Sequence, residues 1–455
     1  MTASKLPVGL PHPHPTKAYW QTPPHPIADH RTTPDLPPAA EYVIIGSGIT
    51  GASIAHKLLQ KQPDASMVML EARQASSGAT GRNGGHCRAG WYLYFADEIE
   101  QFGTEEAVRM LLFEEANVRN LVNTVKDLDI DCDLRKLETV DTFTDPKQWD
   151  EALEALKAID EVEREDKRLK GHVEHKIWSE EETKNELLIR DGVGAISFPG
   201  FILSPYKLVC SLLETAIKKG LNLQTNTPVV EVAPTSIHFS SVSGEQLPHR
   251  RRWVVTTEDR GEIIADKVIL ATNAYTAALY PPLAEFIIPT RGQLAAIRPG
   301  SKIDGNPIFQ RSCALNSAES GDYFQSRGKG VSGEGDLLPI LDDSVIHPDI
   351  SAYLSRRVPV KYFGRETWGA DGEVLQEWTG IMGYTVDKQP IIGEAVESGH
   401  QGLYICAGFH GHGMGRAFQS AEALVQILMG NEEAVAEWLP DTYRLSRVFE
   451  NKESN

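Results

Sequence analysis

Hydrophobic and polar positions near the start of the chain predict a strand, a turn, a helix and a second strand in succession. Residues 42–45 form a short apolar run, which is typical of a parallel strand buried on both faces. A glycine-rich turn follows, and residues 52–61 then show a helix-like pattern that ends before Pro63. A second apolar run at residues 67–70 predicts the next strand.

Beyond this unit the pattern becomes mainly helical and charged. Residues 105–127 and 149–170 form long amphipathic stretches, which predict helices in an inserted lobe or cap. The α/β pattern then returns, with a helix over residues 205–219 and strands near residues 229–232 and 267–270.

The C-terminal part of the chain alternates between strand-like and helical patterns. Residues 287–364 are more strand-like and interrupted by Gly and Pro, which assigns them to the second lobe. The last section shows strands near residue 377 and at residues 403–406, followed by a helix over residues 413–428. A chain of 455 residues is long enough for about two to three domains.

Composition and charge argue against several classes of partner. Hydrophobic residues make up 41% and charged residues 24%, and no apolar run is long enough to span a membrane. The formal net charge is −18, whereas nucleic acids and anionic membranes require clustered Lys and Arg. We therefore expect a small-molecule partner, with no nucleic acid and no membrane.

The cysteines and the first 40 residues bear on the compartment. Five cysteines are widely separated and show no metal-ligand spacing, so neither a disulfide framework nor a metal site is predicted. The first 40 residues are rich in Pro and His and lack the pattern of a secretory signal. A cytoplasmic location is the expectation, with the peroxisome as the alternative.

The glycine turn after the first strand is the strongest motif, because Gly46, Gly48 and Gly51 satisfy GxGxxG. The first glycine permits a tight turn, the second lets the backbone approach a pyrophosphate, and the third lets the helix pack on the strand. Glu71 follows the second strand, 20 residues after Gly51, where its carboxylate can accept hydrogen bonds from a ribose. The unit as a whole predicts dinucleotide binding.

Two further segments carry candidate chemistry. Residues 73–86 contain small residues whose amides and hydroxyls can contact phosphates or a flat ring, although a flexible surface loop has the same composition. Residues 378–385 and 407–414 precede a helix whose start, if placed near a flavin, would stabilise the negative charge of the reduced ring. His410 and His412 lack a third ligand, so a metal is not expected there.

These motifs resemble those of the D-amino-acid-oxidase-type FAD-dependent oxidoreductases, and most of all the gamma-glutamylputrescine oxidoreductase-like members of that family. The segments that carry the resemblance are residues 17–20, 44–51, 77–86, 271–275, 289–293, 378–385 and 407–414. They occur in the right order over nearly the whole chain, and residues 98–200 contribute least.

The patterns and the resemblance imply an α/β fold (α+β, two-lobed) in which a Rossmann-like FAD-binding domain carries a second substrate or cap domain with a mixed or antiparallel sheet. The predicted divisions are an extended N-terminal strap at 1–40, the FAD-binding domain at 41–97, 200–280 and 365–445, and the cap domain at 98–199 and 281–364.

The resemblance also implies how FAD is bound. The GxGxxG turn holds the pyrophosphate, Glu71 the adenosine ribose, and Val229 or Val230 the adenine, while residues 77–86, 271–274 and 411–414 surround the flavin and its ribityl chain. The predicted cofactor-binding residues are Gly46, Ser47, Gly48, Ile49, Thr50, Gly51, Glu71, Ala72, Arg73, Ser77, Gly78, Ala79, Thr80, Arg82, Asn83, Gly84, Gly85, His86, Val229, Val230, Ala271, Thr272, Asn273, Gly380, Gly411, His412, Gly413 and Met414.

The reaction implied by the resemblance is hydride transfer from the carbon beside an amine nitrogen to flavin. The imine then hydrolyses, and oxygen reoxidises the flavin to give hydrogen peroxide. Orientation of the reacting carbon suffices for this chemistry, so no catalytic side chain is assigned. Tyr384, Phe409, His410 and Trp378 are candidates for lining the substrate pocket, although they could equally pack around the cofactor.

Departures from the family pattern bear on substrate and cofactor. Met382 stands where amino-acid oxidases carry the Arg that clamps the substrate carboxylate, which favours an amine. Gly380 stands where sarcosine oxidases carry a flavin-tethering Cys, so non-covalent FAD is expected, with attachment at His86 or Cys87 as the alternative. Arg291 could bind the substrate carboxylate in place of the missing Arg, and Lys329 could promote the reaction of the reduced flavin with oxygen. Each residue also has a purely structural or solvated interpretation.

Two other functions keep the same fold. One is a flavin dehydrogenase that uses an acceptor other than oxygen, and the other is a redox-silent FAD-binding protein. Oxygen consumption with peroxide release would distinguish an oxidase from the first, and anaerobic bleaching by an amine would exclude the second.

Overall fold

The structure is a computed structural model that describes residues 8–90, 92–172, 174–235, 252–303, 310–317, 320–325, 335–337, 340–369, 371–396 and 399–450. Its strands are β1 Ala39–Ile45, β2 Met67–Leu70, β3 His86–Cys87, β4 Arg135–Phe143, β5 Lys176–Trp178, β6 Gly194–Ile202, β7 Asn222–Gln224, β8 Val229–Thr235, β9 Arg252–Thr257, β10 Glu262–Leu270, β11 Ile287–Arg298, β12 Ser312–Ser317, β13 Ser320–Gln325, β14 Gly335–Leu337, β15 Glu373–Thr385, β16 Ile391–Ala395 and β17 His400–Ala407. Its helices are α1 Ile49–Lys61, α2 Phe95–Phe102, α3 Thr104–Asp127, α4 Pro146–Glu165, α5 Glu180–Asn185, α6 Pro205–Lys218, α7 Thr276–Leu279, α8 Pro348–Ala352, α9 Val358–Trp368, α10 Gly413–Leu428 and α11 Arg447–Glu450.

A parallel sheet forms the centre of the first lobe, in the strand order β17-β10-β1-β2-β7. Strand β16 closes one edge as an antiparallel neighbour of β17, and β8 and β9 branch antiparallel from β10. Side chains alternate across β1, so Tyr42 and Ile44 belong to the apolar core on one face and Val43 and Ile45 to the core on the other. Burial on both faces explains the unbroken apolar run that predicted this strand.

The second lobe is built on a mixed sheet in the order β13-β12-β4-β6-β3, with β5 paired to β6. A separate antiparallel sheet has the order β14-β11-β15, and Ala295 and Ile297 of β11 share an apolar cluster with Val140 and Cys313 of the mixed sheet. The predicted fold class, a Rossmann-like parallel sheet with a second lobe containing a mixed sheet, is confirmed.

Two predicted stretches differ from the structure. The insert that reads as helical also contains strands β4 and β6, which pair with each other over their full lengths. The end of the strand-like stretch is helical, because Pro348 occupies the first turn of α8, where a missing amide hydrogen costs nothing. Gly364 then divides the following helix with a backbone φ of 76°.

The predicted domain boundaries remain a prediction, and two contacts bear on them. Helix α3, from the predicted cap, packs against α10 of the predicted FAD-binding domain: Asn117 donates to the carbonyl of Met414 at 2.9 Å. Strand β15 pairs with β11 along nearly its whole length. Within the described ranges, no helix is both long and apolar enough to cross a bilayer.

Candidate functional site

A cavity of about 400 Å³ lies at the carboxyl ends of β1, β2 and β10, and we call it the central cavity. The turn after β1, the loop at residues 78–86, the start of α10 and the facing strands β11 and β15 all contribute to its lining. Ligands bind at this end of the strands in open α/β sheets, because the loops that follow the strands converge there.

The glycine turn is packed too closely for side chains. Gly46 has a φ of 104°, and a Cβ on Gly51 would lie 2.0 Å from the Gly46 carbonyl oxygen. Gly51 therefore sets the contact between helix and strand, and it does not itself line the central cavity. Gly48, Ile49 and Thr50 bring the first turn of α1 to the cavity surface.

Glu71 is fixed at the edge of the central cavity. Its Oε2 accepts hydrogen bonds from the amide and hydroxyl of Ser47 at 3.0 and 2.6 Å, and its Oε1 accepts one from the Arg73 amide at 3.0 Å. A carboxylate offers about four acceptor positions, so Glu71 retains capacity for a ligand hydroxyl. The carboxylate is thus held in place by the same turn that faces the cavity.

The loop at residues 73–86 is tied to both α1 and β15. The Thr80 hydroxyl accepts a hydrogen bond from the Ile49 amide at 3.0 Å, which caps the start of α1. Arg82 donates to the carbonyls of Ser77 and Thr379 at 2.8 and 2.7 Å. The hydroxyl of Ser77 is buried and has no hydrogen-bond partner among the described residues. These contacts make the loop an ordered wall of the central cavity.

A buried ion pair joins this loop to residues that precede α8. Both carboxylate oxygens of Asp343 lie 3.0 Å from Arg73 Nη1, and Arg82 Nε lies 3.7 Å from Asp343 Oδ2. Burial lowers the pKa of Arg82 to about 10, so the guanidinium is charged at neutral pH. The N-terminal segment joins the same cluster, because Thr16 donates its amide to the Asp343 carbonyl at 2.7 Å.

The start of α10 presents two uncharged histidines. The Nδ1 of His412 lies 2.7 Å from the His410 carbonyl oxygen, which can only accept, so Nδ1 carries the proton. Burial is the main cause that lowers the pKa of His412, and burial lowers the pKa of His410 to about 4. His410 also stacks on Tyr384 at a centroid distance of 4.3 Å. Both imidazoles are neutral at physiological pH.

Asn273 connects two of the cavity walls. Its side-chain oxygen accepts hydrogen bonds from the amides of Gly408 and Phe409 at 3.0 and 3.3 Å. A Cβ on Gly383 would lie 2.8 Å from the same oxygen, so β15 approaches this turn closely. The turn after β10 is thereby held against the loop before α10.

The structure brings most of the predicted cofactor-binding residues together: all of them line the central cavity except Gly51, Ser77 and Val230. Val230 lies at a bulge in β8 and is 40% exposed. Of the substrate-pocket candidates, Tyr384, Phe409 and His410 line the cavity and Trp378 does not. Instead, the Trp378 indole donates to the Arg82 carbonyl at 2.8 Å and packs against Ala18.

The residues considered for substrate selection, flavin attachment and the oxygen reaction lie at different positions relative to the central cavity. Met382 lines the central cavity, whereas Arg291 points away and donates to the Asp342 carbonyl at 2.9 Å. His86 lines the cavity, and Cys87 is buried outside its lining, with a thiol pKa raised to about 12 by burial. Lys329 lies outside the described residues.

Some polar residues of the cavity lining were not predicted, and they come from both the predicted FAD-binding domain and the predicted cap domain. Arg88, Tyr94, Glu114 and Tyr323 line the cavity. Arg88 forms a buried ion pair with Asp141 at 2.5 Å. None of these residues belongs to a motif. Only Arg88 is close to one in sequence, because it lies two residues after the loop at residues 73–86.

The residues present suit FAD. The closely packed glycines Gly46 and Gly48, the first turn of α1 and the Glu71 carboxylate all face the central cavity, and this is the set of groups that a dinucleotide requires. Gly292 and Gly380 face each other across β11 and β15, which leaves a flat surface where a ring can lie.

This architecture is that of a two-domain, Rossmann-type dinucleotide-binding oxidoreductase. The chain belongs to the DAO family of FAD dependent oxidoreductases, which matches residues 41–427. The family inferred from the motifs is therefore confirmed, and FAD is the cofactor that the family binds.

Named relatives agree with this assignment. The chain is 25% identical over 439 residues to the probable oxidoreductase OrdL of Rhizobium meliloti, which covers 90% of each chain. It is 24% identical over 401 residues to gamma-glutamylputrescine oxidoreductase of Escherichia coli, covering 86% of this chain and 84% of the relative. Glycine oxidase from Geobacillus kaustophilus superposes with a TM-score of 0.68 at 18% identity, over 88% of this chain and 98% of that one.

Proposed function

We propose that the protein oxidises the C–N bond of a small amine to an imine, with oxygen as the electron acceptor and hydrogen peroxide as a product. The coarser statement, an FAD-dependent oxidoreductase of the amino-acid-oxidase type, follows from the family. The proposal adds the substrate class, the acceptor and non-covalent binding of FAD.

The observation that carries the substrate class is that every arginine lining the central cavity already has partners. Arg73 is paired with Asp343, and Arg88 with Asp141. Arg82 donates to the carbonyls of Ser77, Thr379 and Thr16. A substrate carboxylate needs a free guanidinium for bidentate binding, and the described lining offers none. An amine without an adjacent carboxylate suits this cavity better.

Side chains at the α10 end of the cavity suit a substrate that must be oriented and kept dry. When bound, FAD accepts the hydride from the carbon beside the nitrogen. Met382, Phe409 and Ile381 supply apolar surface, and the stacked pair of Tyr384 and His410 forms one wall. Because both histidines are neutral, they add no repulsion toward a cationic amine.

Two further points support the proposal. The name of the Escherichia coli relative refers to an acylated diamine, which is an amine substrate of this kind. Non-covalent FAD is supported because the Cys87 thiol is buried outside the cavity lining, which leaves His86 as the alternative attachment point. Denaturation followed by centrifugation tests the attachment: non-covalent FAD stays in the supernatant.

The substrate class is tested by anaerobic mixing of the FAD-loaded protein with polyamines, acylated polyamines, N-methyl amino acids and cyclic imino acids. We expect bleaching at about 450 nm by amines that lack an adjacent carboxylate, as is usual for reduction of flavins. On admission of air, oxygen consumption should match peroxide release. Bleaching by amino acids alone would refute the amine assignment. Bleaching by an amine without later oxygen uptake would indicate a dehydrogenase. A flavin that none of the compounds bleaches would indicate a redox-silent protein.

A further inference from the structure

A second cavity of about 250 Å³ adjoins the central cavity, and we call it the side cavity. Tyr94, His410 and His412 line both cavities and thus form the wall that they share. Tyr94 packs edge-on against His412 at a centroid distance of 5.6 Å. A ligand at the α10 end of the central cavity is therefore next to the side cavity.

Acidic side chains predominate in the side cavity. Helix α2 contributes Asp97, Glu98 and Glu100, and the turn after β15 contributes Asp387 and Lys388. Lys388 is exposed. No described residue forms an ion pair with Lys388.

The remaining charges of the side cavity are already neutralised within the protein. Arg416 of α10 is paired with Glu114 at 2.5 Å. Asp387 is paired with Arg447 at 2.7 Å. In the described lining, the carboxylates of Asp97, Glu98 and Glu100 therefore outnumber the remaining cation, Lys388. The side cavity thus has a negative electrostatic potential.

Glu98 differs from the other acids of the side cavity because it is buried. Its side chain lines the side cavity although the residue is only 8% exposed. Among the described residues, its carboxylate accepts no hydrogen bond and forms no ion pair within 4 Å, and the cation that lowers its pKa, Arg416, is itself paired with Glu114. In contrast, the buried Glu114 accepts hydrogen bonds from Arg416 and from the Gly90 amide. An unpaired buried carboxylate is costly, and a cation in the side cavity would offset that cost.

The pKa of Glu98 favours the exchange of its proton for a nearby cation. Burial raises its pKa to about 7, so that near neutral pH a nearby cation can displace the proton. The charged groups that act on it are Asp97 of the same helix, Glu106 and Glu114 of α3, and Arg416 of α10.

We propose that the Glu98 carboxylate binds a second cationic group of the amine substrate, such as the distal ammonium of a diamine, while the reacting end lies in the central cavity. This inference rests on the proposed amine oxidase function and makes the substrate class narrower. The distal ammonium would take the place of the missing partner of Glu98, and the shared wall of Tyr94, His410 and His412 would contact the alkyl chain between the two nitrogens.

The test compares α,ω-diamines of three to eight carbons with the n-alkylamines in which a methyl group replaces one ammonium. Binding is measured by titration calorimetry on the FAD-loaded protein kept reduced and anaerobic, so that no turnover occurs. Anaerobic flavin reduction of the oxidised protein gives a second readout. We expect at least one diamine to bind about 10-fold more tightly than its matched monoamine, as for a charge-assisted hydrogen bond.

Variants isolate the contribution of Glu98. Glu98→Gln keeps the shape and should reduce the preference for the diamine to within about 2-fold, while monoamine binding stays unchanged. Glu98→Asp keeps the charge on a shorter side chain and should retain a preference, shifted toward a longer diamine. Glu154→Gln removes the same charge from an exposed position on α4 outside both cavities, and should behave as wild type. FAD content and melting temperature report the folding of each variant.

Two results would overturn the inference: no diamine preference in the wild-type protein at any chain length, or the same preference in wild type and Glu98→Gln. Failure of the proposed function is a separate result, because it appears as a flavin that no amine reduces, whatever the binding data show.

Discussion

The hydroxyl of Thr80 accepts a hydrogen bond from the backbone amide of Ile49 at 3.0 Å, across 31 residues of sequence. Ile49 opens α1 directly after the GxG of the glycine turn, and Gly48 at the N-cap has no side chain that could cap the helix. The loop at residues 73–86 therefore supplies the cap. The two glycine-rich segments identified in the sequence thus form one unit.

Removal of this cap should weaken both the fold and cofactor binding. Thr80→Val keeps the shape but leaves the Ile49 amide without an acceptor, which should cost about 1–2 kcal/mol of unfolding free energy. FAD affinity should fall several-fold, because the loop no longer positions the helix start. Urea denaturation of the apoprotein and FAD fluorescence titration measure the two effects. Thr80→Ser retains the acceptor and is the control; equal behaviour of the two variants would contradict the capping role.

The buried carboxylate of Asp343 should be essential for stability. It is fully buried and faces the guanidinium groups of Arg73 and Arg82, so Asp343→Asn leaves two buried cations without a counter-charge. The free energy of unfolding should decrease by about 3–5 kcal/mol, as when one partner of a buried ion pair is removed in other proteins. Chemical denaturation measures it. Glu373→Gln disrupts the exposed pair with Arg298 and should cost less than about 1 kcal/mol. If Asp343→Asn also lost less than about 1 kcal/mol of unfolding free energy, the buried ion pairs of Asp343 would not be important for stability.

Local sequence rules predicted the first strand, its glycine turn, α1 and the acid at Glu71, because each depends on residues close in the chain. The helix over residues 413–428 was predicted to the residue for the same reason. The composition of residues 73–86 indicated a contact with phosphates or a flat ring, and the family resemblance added a position beside the flavin for this loop and the turn after β10; the structure places both segments at the central cavity.

Residues that depend on distant packing were not predictable. Trp378 lies two residues before Gly380 on the same face of β15, but the backbone of Arg82 and Ala18 of the N-terminal segment cover that end of the strand. Glu114 and Arg416 are 302 residues apart, and no spacing rule connects them. Glu98 reads as one of many surface acids, since its helix is amphipathic and charged, and only the fold shows that it is buried.

A buried histidine in α1 should make stability fall in mild acid. His56 is 3% exposed, and burial lowers its pKa to about 4 from an ordinary value near 6.5. Between these values the unfolded chain binds a proton that the folded protein does not, so the free energy of unfolding decreases as the pH falls from about 6.5 to 4. His56→Gln should make the fall of the melting temperature over this interval less steep, and the remaining slope is expected from other buried histidines such as His410. Replacement of the exposed His14 by Gln is the control, and equal slopes in both variants would assign the acid sensitivity to other groups.

Met382 offers a direct test of how the cavity selects its substrate. The side chain lines the central cavity, and its sulfur lies 3.8 Å from where a Cβ on Gly411 would stand. Met382→Arg adds a guanidinium to a lining whose other arginines are already paired, so it provides the free donor that a carboxylate requires. Anaerobic flavin reduction by N-methylglycine should then reach half-saturation at about 10-fold lower concentration, corresponding to about 1.4 kcal/mol.

The same charge should oppose a cationic amine, so half-saturation for 1,4-diaminobutane should rise by about 10-fold in Met382→Arg, which makes the two substrates move in opposite directions. Met382→Leu changes the shape of the lining without adding charge and should leave both values within about 2-fold. If the arginine variant shifted both substrates in the same direction, Met382 would not face the substrate, and selection for an amine would have to arise elsewhere in the cavity.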